Sequence, residues 1–472
     1  MMRKTVVFFC IAALLMLTQV YTNSGGGIPE SETPQLLWKY QSNHNATIAS
    51  MTVSNLDNDK MDEVVLGIQS ANDRSGRIIV IDNNGGMLYN SSGSRVRDVT
   101  TGDIDNDGTN EIVIIGTVEP YSSDYVKVLE HNLTHLWTYF FNAEISEGDI
   151  ISVYNFEPFV VYCLDIGNIN GDDNPDVVVG TEKGLYLLSG DGTLLWNYSV
   201  DNIYTVMIHD IDSDGKNEII YCSEHYVSAV SGNATFLWKY SINTSALRSL
   251  TIGDLDSDGS YEIIVGAGGG LYVIRNNGSL LWNYMLETDY WFSTIEVLDI
   301  NNDGVDDVIA GSANIDAVLN GSANCKVYAI RNDGKLLWTY PIKGMAWSST
   351  IGDIDGDQIH DVVIGTGAGF NFFVKDSAYI YAIKNDGSIR WEYHSPTDYT
   401  ITSVAIGNLD NDSVNDIVAA SISEIYAFSS EKKTVEMPTP YGYQTFLLIS
   451  IGGLGLMAMF IVILRYKSRR RE

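Results

Sequence analysis

The sequence predicts an all-β fold, an eight-bladed β-propeller followed by a single transmembrane helix, with seven blades as the alternative count. Three observations predict it. An acidic loop recurs eight times, beginning at Asn55, Asp103, Asn168, Asp210, Asp254, Asp299, Asp353 and Asn408, 42 to 65 residues apart. An aromatic segment recurs between the loops: LLWKY at Trp38, MLYNS at Tyr89, HLWTY at Trp137, LLWNY at Trp196, FLWKY at Trp238, LLWNY at Trp282, LLWTY at Trp338 and IRWEY at Trp391. Between these marks apolar residues alternate with period two, β-branched types dominate, and Gly, Asn and Asp supply the breaks.

The elements follow in chain order. Residues 1–22 read as a secretory signal peptide: a basic MMRK start, then an apolar run from Thr5 to Leu17 that is too short to span a bilayer. Residues 35–430 hold the repeat. In its clearest copy, Ser249 to Tyr284, the segments LTIGDL, EIIVG, LYVIR and SLLWNY read as four short strands. Trp38 precedes the first acidic loop, and after the eighth loop the chain runs IYAFSSEKK with no aromatic segment of its own. Gln35 to Tyr40 is therefore expected to supply the fourth strand of the last blade and to close the ring, which removes its open edges. Residues 431–442 read as a stalk, 443–464 as the transmembrane helix and 465–472 as a basic cytoplasmic tail carrying Arg465, Lys467, Arg469, Arg470 and Arg471. That orientation makes the chain a single-pass cell-membrane protein with an extracellular ectodomain, and nine N-x-S/T sequons fit glycosylation outside the cell.

Charge and cysteines exclude other classes. Against 60 acidic residues stand only 28 basic ones, a net −32, so a phosphate backbone would be repelled and no nucleic-acid partner is expected. Once Cys10 leaves with the signal peptide, Cys163, Cys222 and Cys325 remain, an odd and scattered set that makes neither a disulfide scaffold nor a zinc site.

The acidic loops carry the chemistry. In D-L-D-S-D-G-S-Y-E, positions 1, 3 and 5 aim carboxylates at one centre, position 7 offers a backbone carbonyl and position 9 closes the shell. Hard oxygen donors in that number suit Ca²⁺. The expected ligands are Asn55, Asp57, Asp59, Met61 and Glu63; Asp103, Asp105, Asp107, Thr109 and Glu111; and Asn168, Asn170, Asp172, Asn174 and Asp176. They continue with Asp210, Asp212, Asp214, Lys216 and Glu218; Asp254, Asp256, Asp258, Ser260 and Glu262; and Asp299, Asn301, Asp303, Val305 and Asp307. The last two sets are Asp353, Asp355, Asp357, Ile359 and Asp361, then Asn408, Asp410, Asp412, Val414 and Asp416. The Asn168 loop has the fewest acids and is expected to bind most weakly. The first half of the pattern matches an EF-hand loop, but the closing acid comes at position 9 instead of 12 and a strand follows.

GDLDSDGSYEIIVGAG and its siblings resemble the FG-GAP repeats of integrin-α-like propellers and the related VCBS repeats, while GSLLWNY resembles the tryptophan strand of pyrroloquinoline-quinone-type propeller repeats. The resemblance spans roughly residues 35 to 430. It implies that each acidic loop joins the first and second strands of a blade, on the lower face.

No arrangement for catalysis stands out: HExxH, GxSxG, P-loop and CxxC motifs are all missing, so no enzyme activity is expected. Binding has the better physical basis. Six residues before each loop stand Ala49, Arg97, Tyr162, Tyr204, Arg248, Ser293, Trp347 and Thr402, with Trp291 and Tyr399 nearby. Of these, Arg97, Tyr162, Tyr204, Arg248, Trp291, Trp347 and Tyr399 are the candidate ligand-binding residues, on a face that suits an extracellular protein or glycan. The expectation is a calcium-binding adhesin or binding receptor. The alternatives are a surface-anchored, polysaccharide-lyase-like enzyme and a structural component of the cell envelope.

Overall fold

A computed structural model describes residues 34–42, 46–70, 75–118, 123–141, 159–172, 174–243, 247, 249–287, 289–314, 325–368, 377–395, 400–412 and 414–429. The expected signal peptide, stalk, transmembrane helix and tail lie outside these residues, as do Arg248 and Tyr399. Among the described residues no helix is long and apolar enough to cross a membrane.

The named elements are all strands, and they fall into antiparallel sheets in chain order. The first sheet in the chain runs β2 (Ala46–Ser54), β3 (Glu63–Ser70), β4 (Ser75–Ile81), β5 (Met87–Gly102), β6 (Glu111–Val118), β7 (Ser123–Leu129) and β8 (His135–Phe140). The next three sheets have four strands each. They are β9 (Val161–Gly167), β10 (Asp176–Thr181), β11 (Gly184–Leu188) and β12 (Leu194–Ser199); β13 (Thr205–His209), β14 (Glu218–Cys222), β15 (Tyr226–Ser231) and β16 (Phe236–Ser241); and β17 (Ser249–Gly253), β18 (Glu262–Ala267), β19 (Gly270–Ile274) and β20 (Leu280–Met285). Two more four-stranded sheets follow, β21 (Trp291–Leu298), β22 (Asp307–Ala313), β23 (Lys326–Ile330) and β24 (Leu336–Pro341), then β25 (Met345–Gly352), β26 (Asp361–Gly367), β27 (Tyr379–Ile383) and β28 (Ile389–His394). The last joins β29 (Ile401–Gly407), β30 (Asp416–Ser421) and β31 (Glu424–Ser429) to β1 (Gln35–Gln41) from the start of the chain.

Seven sheets therefore stand where the sequence predicts eight separate ones, and the difference arises at one strand. β5 is 16 residues long. Its first half, Met87–Ser94, pairs with β4, and its second half, Arg95–Gly102, pairs with β6. One strand thus serves as the outer strand of one four-strand array and the inner strand of the next. The closing strand is where the sequence expects it: β1 pairs with β31 from Gln35↔Ser429 to Gln41↔Glu424.

Packing follows from the pattern. After its opening acid the second strand of each array reads as a largely apolar run, and DVVVGT in β10 and EIIVGA in β18 are buried throughout because neighbouring sheets cover both faces. Contiguous clusters bridge consecutive sheets, for example Ile220, Cys222, Val227 and Ala229 with Ile263, Val265 and Ala267. The tryptophans pin one array to the next. Trp282 Nε1 donates to the Asn332 carbonyl at 2.6 Å, Trp338 Nε1 to Asn385 at 2.9 Å and Trp38 Nε1 to Asn83 at 2.8 Å. Cys163, Cys222 and Cys325 are free, and burial pushes the Cys325 thiol up to about 11.

Candidate metal centres

In every array the acidic loop connects the first strand to the second, and its position-9 acid is the first residue of that second strand: Glu63, Glu111, Asp176, Glu218, Glu262, Asp307, Asp361 and Asp416. All eight are buried. In six loops this carboxylate accepts the backbone N–H of position 2, from Leu56 (2.9 Å), Ile104 (2.7 Å), Ile169 (3.0 Å), Ile211 (3.2 Å), Leu255 (2.9 Å) and Leu409 (3.0 Å). That bond folds the loop back on itself. Position 5 accepts the N–H of position 7 in all eight, as Asp258 does from Ser260 at 2.8 Å and Asp357 from Ile359 at 2.8 Å. Position 4 takes a left-handed backbone in every copy, at Asn58, Asn106, Gly171, Ser213, Ser257, Asn302, Gly356 and Asn411. Position 6 is left-handed as well at Gly108, Gly215, Gly259, Gly304 and Gln358, and the run of Asn, Ser and Gly at position 4 is the signal in the sequence for the first of these two turns.

The loops gather acids tightly enough for an ion. Among the described residues, one oxygen from each member of Asp57–Asp59–Glu63, Asp103–Asp105–Glu111, Asp210–Asp212–Glu218, Asp254–Asp256–Glu262 and Asp353–Asp355–Asp357 lies within 4.8 Å of the others. Several inward oxygens are buried without a hydrogen-bond partner: Oδ1 of Asn55, Asp254 and Asn408 at position 1, and Oε1 of Glu111 at position 9. Buried oxygens left bare are costly, and a cation among them would satisfy them. Burial, with the neighbouring Asp carboxylates adding to it, raises Glu63, Glu111, Glu218 and Glu262 to about 7, against the hydrogen bond from position 2. The donor chemistry of these four loops fits a hard cation.

The remaining loops differ in kind. In the Asn168 loop, Asn170 Nδ2 donates to Asp172 Oδ2 at 3.0 Å and to Asp176 Oδ1 at 3.1 Å. In the Asp299 loop, Asn301 Nδ2 donates to Asp307 Oδ2 at 2.7 Å. In both, a neutral amide donates hydrogen bonds to carboxylates of the loop. In the Asp353 loop a guanidinium supplies a counter-charge: Arg390 Nη1 pairs with Asp355 Oδ2, and Nη2 lies 3.1 Å from Asp361 Oδ2.

The described residues six before each loop lie away from it along or just before the inner strand, and most stand at a register shift: Ala49, Arg97, Tyr162, Ser293, Trp347 and Thr402. A bulge there re-aims one side chain per strand. Tyr162 and Tyr204 come together, with ring centroids 5.0 Å apart. Tyr204 and Trp347 each expose 36 % of their surface. Arg97 is tied to the buried carboxylate of Asp124, which also accepts from Thr117 Oγ1 and Val161 N. Trp291 packs against the cluster around Ala313 and Cys325.

Residues 254–310 match the family model described as an FG-GAP-like repeat. None of the curated proteins matches the sequence. Among solved structures, the V. cholerae biofilm matrix protein Bap1 is similar at a TM-score of 0.59 and 12 % identity, over 85 % of this chain and 92 % of that one. The Dos1 propeller is similar at a TM-score of 0.52 and 10 % identity, over 84 % of this chain and 96 % of that one. At such identities the likeness is one of fold. The chain folds as a β-propeller, and its segment 254–310 is similar to the FG-GAP-like repeat.

Proposed function

We propose that this chain is a calcium-binding propeller of the cell surface, held by one transmembrane helix at 443–464, that acts as an adhesin or binding receptor for an extracellular protein or glycan. In this reading the seven-stranded sheet counts as two blades sharing β5, and the ring has eight. The observation that carries the calcium assignment is the set of bare, buried loop oxygens at Asn55, Glu111, Asp254 and Asn408, beside converging carboxylates. Calcium tolerates six to eight oxygen ligands in flexible geometry, which suits a cage of mixed Asp, Glu, Asn and carbonyl donors better than magnesium's strict octahedron. At tenfold excess over the dissociation constant, each independent site would stabilise the fold by about 1.4 kcal/mol. The binding role rests on the opposite rim, where bulged inner strands present Tyr162 and Trp347 and Tyr204 stands against Tyr162, and Bap1, of the same fold, is a biofilm matrix protein. No catalytic role is proposed.

Thermal unfolding of residues 23–436 with calcium, magnesium or a chelator tests the metal. A calcium-dependent rise in midpoint that chelation reverses and magnesium does not reproduce is the expected result; identical midpoints would sink the assignment. The same fragment, fluorescently labelled, should bind cell surfaces or an immobilised glycan and extracellular-protein panel in calcium. Tyr204→Ala with Trp347→Ala should abolish that binding at an unchanged midpoint.

A further inference from the structure

We propose that Arg390 is the resident cation of the Asp353 loop, and that this loop binds no calcium. The inference rests on the calcium reading of the other loops and sets one of the eight apart from them.

Each outer strand shifts register at the residue before its aromatic anchor, so that one side chain is extra to the ladder. In seven copies that residue is leucine: Leu37, Leu88, Leu136, Leu195, Leu237, Leu281 and Leu337. In the eighth it is Arg390. Leu88, Leu195, Leu237 and Leu337 are exposed, Leu195 by 42 %, whereas Arg390 is only 5 % exposed. The same backbone device therefore carries an apolar side chain elsewhere, exposed at those four positions and packed against the core at Leu37, Leu136 and Leu281, and a buried cation here.

The guanidinium goes to the two acids that close a cage. Asp355 is position 3 and Asp361 is position 9, the counterparts of Asp256 and Glu262. In the four other converging clusters the position-9 acid is a member; in the Asp353 loop the cluster is Asp353, Asp355 and Asp357, without Asp361. Asp361 faces Arg390 instead. A guanidinium stays charged at any accessible pH, and this one lies in ion-pair distance of both carboxylates, although Asp361 Oδ2 accepts no hydrogen bond from it. A divalent ion held by those same two carboxylates would sit within a few ångströms of a fixed positive charge, and both would compete for the same oxygen lone pairs. The two occupants exclude each other. The backbone turn survives, since Gln358 keeps a left-handed φ of 67° and its N–H reaches Asp353 Oδ2 at 2.9 Å.

Native mass spectrometry of the full-length chain in detergent, loaded with calcium and exchanged into ammonium acetate, counts the bound ions. Asp357→Asn should leave the count unchanged, whereas Asp258→Asn, its counterpart in the Asp254 loop, should lower it by one. Arg390→Leu, which restores the residue of the other seven copies, should raise it by one, and adding Asp357→Asn to that variant should remove the extra ion. A wild-type count that falls by one with Asp357→Asn overturns this inference and leaves the calcium reading standing. So does a folded Arg390→Leu chain with an unchanged count. If Arg390→Leu does not fold, the Asp357→Asn comparison in the wild-type chain decides alone. A chain with no bound calcium at all overturns both readings.

Discussion

Single side chains in this ring do two jobs, fixing a turn and gripping the next blade, and the two can be separated by mutation. Gly387 has φ +82°, and a Cβ there would lie 2.7 Å from Cγ and Cδ2 of Trp338. Gly387→Ala should therefore cost about 1 kcal/mol for the left-handed backbone plus about 1–3 kcal/mol for the collision. In a Trp338→Leu background only the backbone part should remain, which urea unfolding of the four proteins would read as a coupling energy; additive costs would contradict the packing. Glu296 offers a second residue-scale test. Burial lifts its carboxyl to about 7, against a hydrogen bond from Ser349 Oγ at 2.7 Å. The unfolded chain ionises this group first, so its contribution is fully present below about pH 4.5 and is lost as pH rises through about 7. Glu296→Gln, which keeps an acceptor for Ser349, should match the wild type near pH 5 and exceed it by about 2 kcal/mol near pH 8. A constant difference across that range would show that the carboxyl ionises freely in the fold.

Among the elements, β1 carries the most consequence per residue. It is drawn from the start of the chain to β31 and sets Trp38 against the turn at Asn83. A chain truncated to begin at Ser42 should lose about 2 kcal/mol for the half-buried Trp38 indole alone and expose the edge of β31 to other copies. A lowered midpoint together with oligomers on size-exclusion chromatography is expected; an unchanged monomer would mean that the ring closes without β1. This closure could be read from the sequence because the two repeated motifs are out of phase, with an aromatic segment in excess at one end and missing at the other. The acidic loops were legible for a similar reason, since their spacing of carboxylates recurs whatever surrounds it. Two features were not legible. SSGS after Tyr89 has the composition of a turn, yet β5 passes straight through it, because the outer strand of one array and the inner strand of the next happen to align. IRWEY reads as one more aromatic strand, because a bulge register is a property of pairing, and only the pairing shows that Arg390 occupies the re-aimed position.

Over the whole molecule hydrogen bonds join neighbouring loops along one rim at several junctions. Asn110 Nδ2 reaches the Asn55 carbonyl at 3.1 Å, Asn217 Nδ2 the Asn168 carbonyl at 2.8 Å, Tyr261 N the Ile211 carbonyl at 3.0 Å and Asn415 N the Asp353 carbonyl at 3.2 Å. The two ends of the repeat meet there as well: Asp62 N donates to the Asn408 carbonyl at 2.8 Å, and Asn408 N to Asp62 Oδ2 at 2.7 Å. Much of the net charge of −32 is therefore concentrated on one rim, in loops that repel themselves when no cation is bound. Partly exposed charges of this kind are screened by salt, with a Debye length of about 10 Å at 0.1 M. In chelator, raising sodium chloride from about 0.02 M to about 0.3 M should lift the unfolding midpoint by several degrees, because screening relieves the repulsion. In saturating calcium the repulsion is already neutralised by bound ions, so the same salt step should move the midpoint by less than half as much. Equal salt responses with and without calcium would mean that the divalent ion does not bind where the negative charge is concentrated.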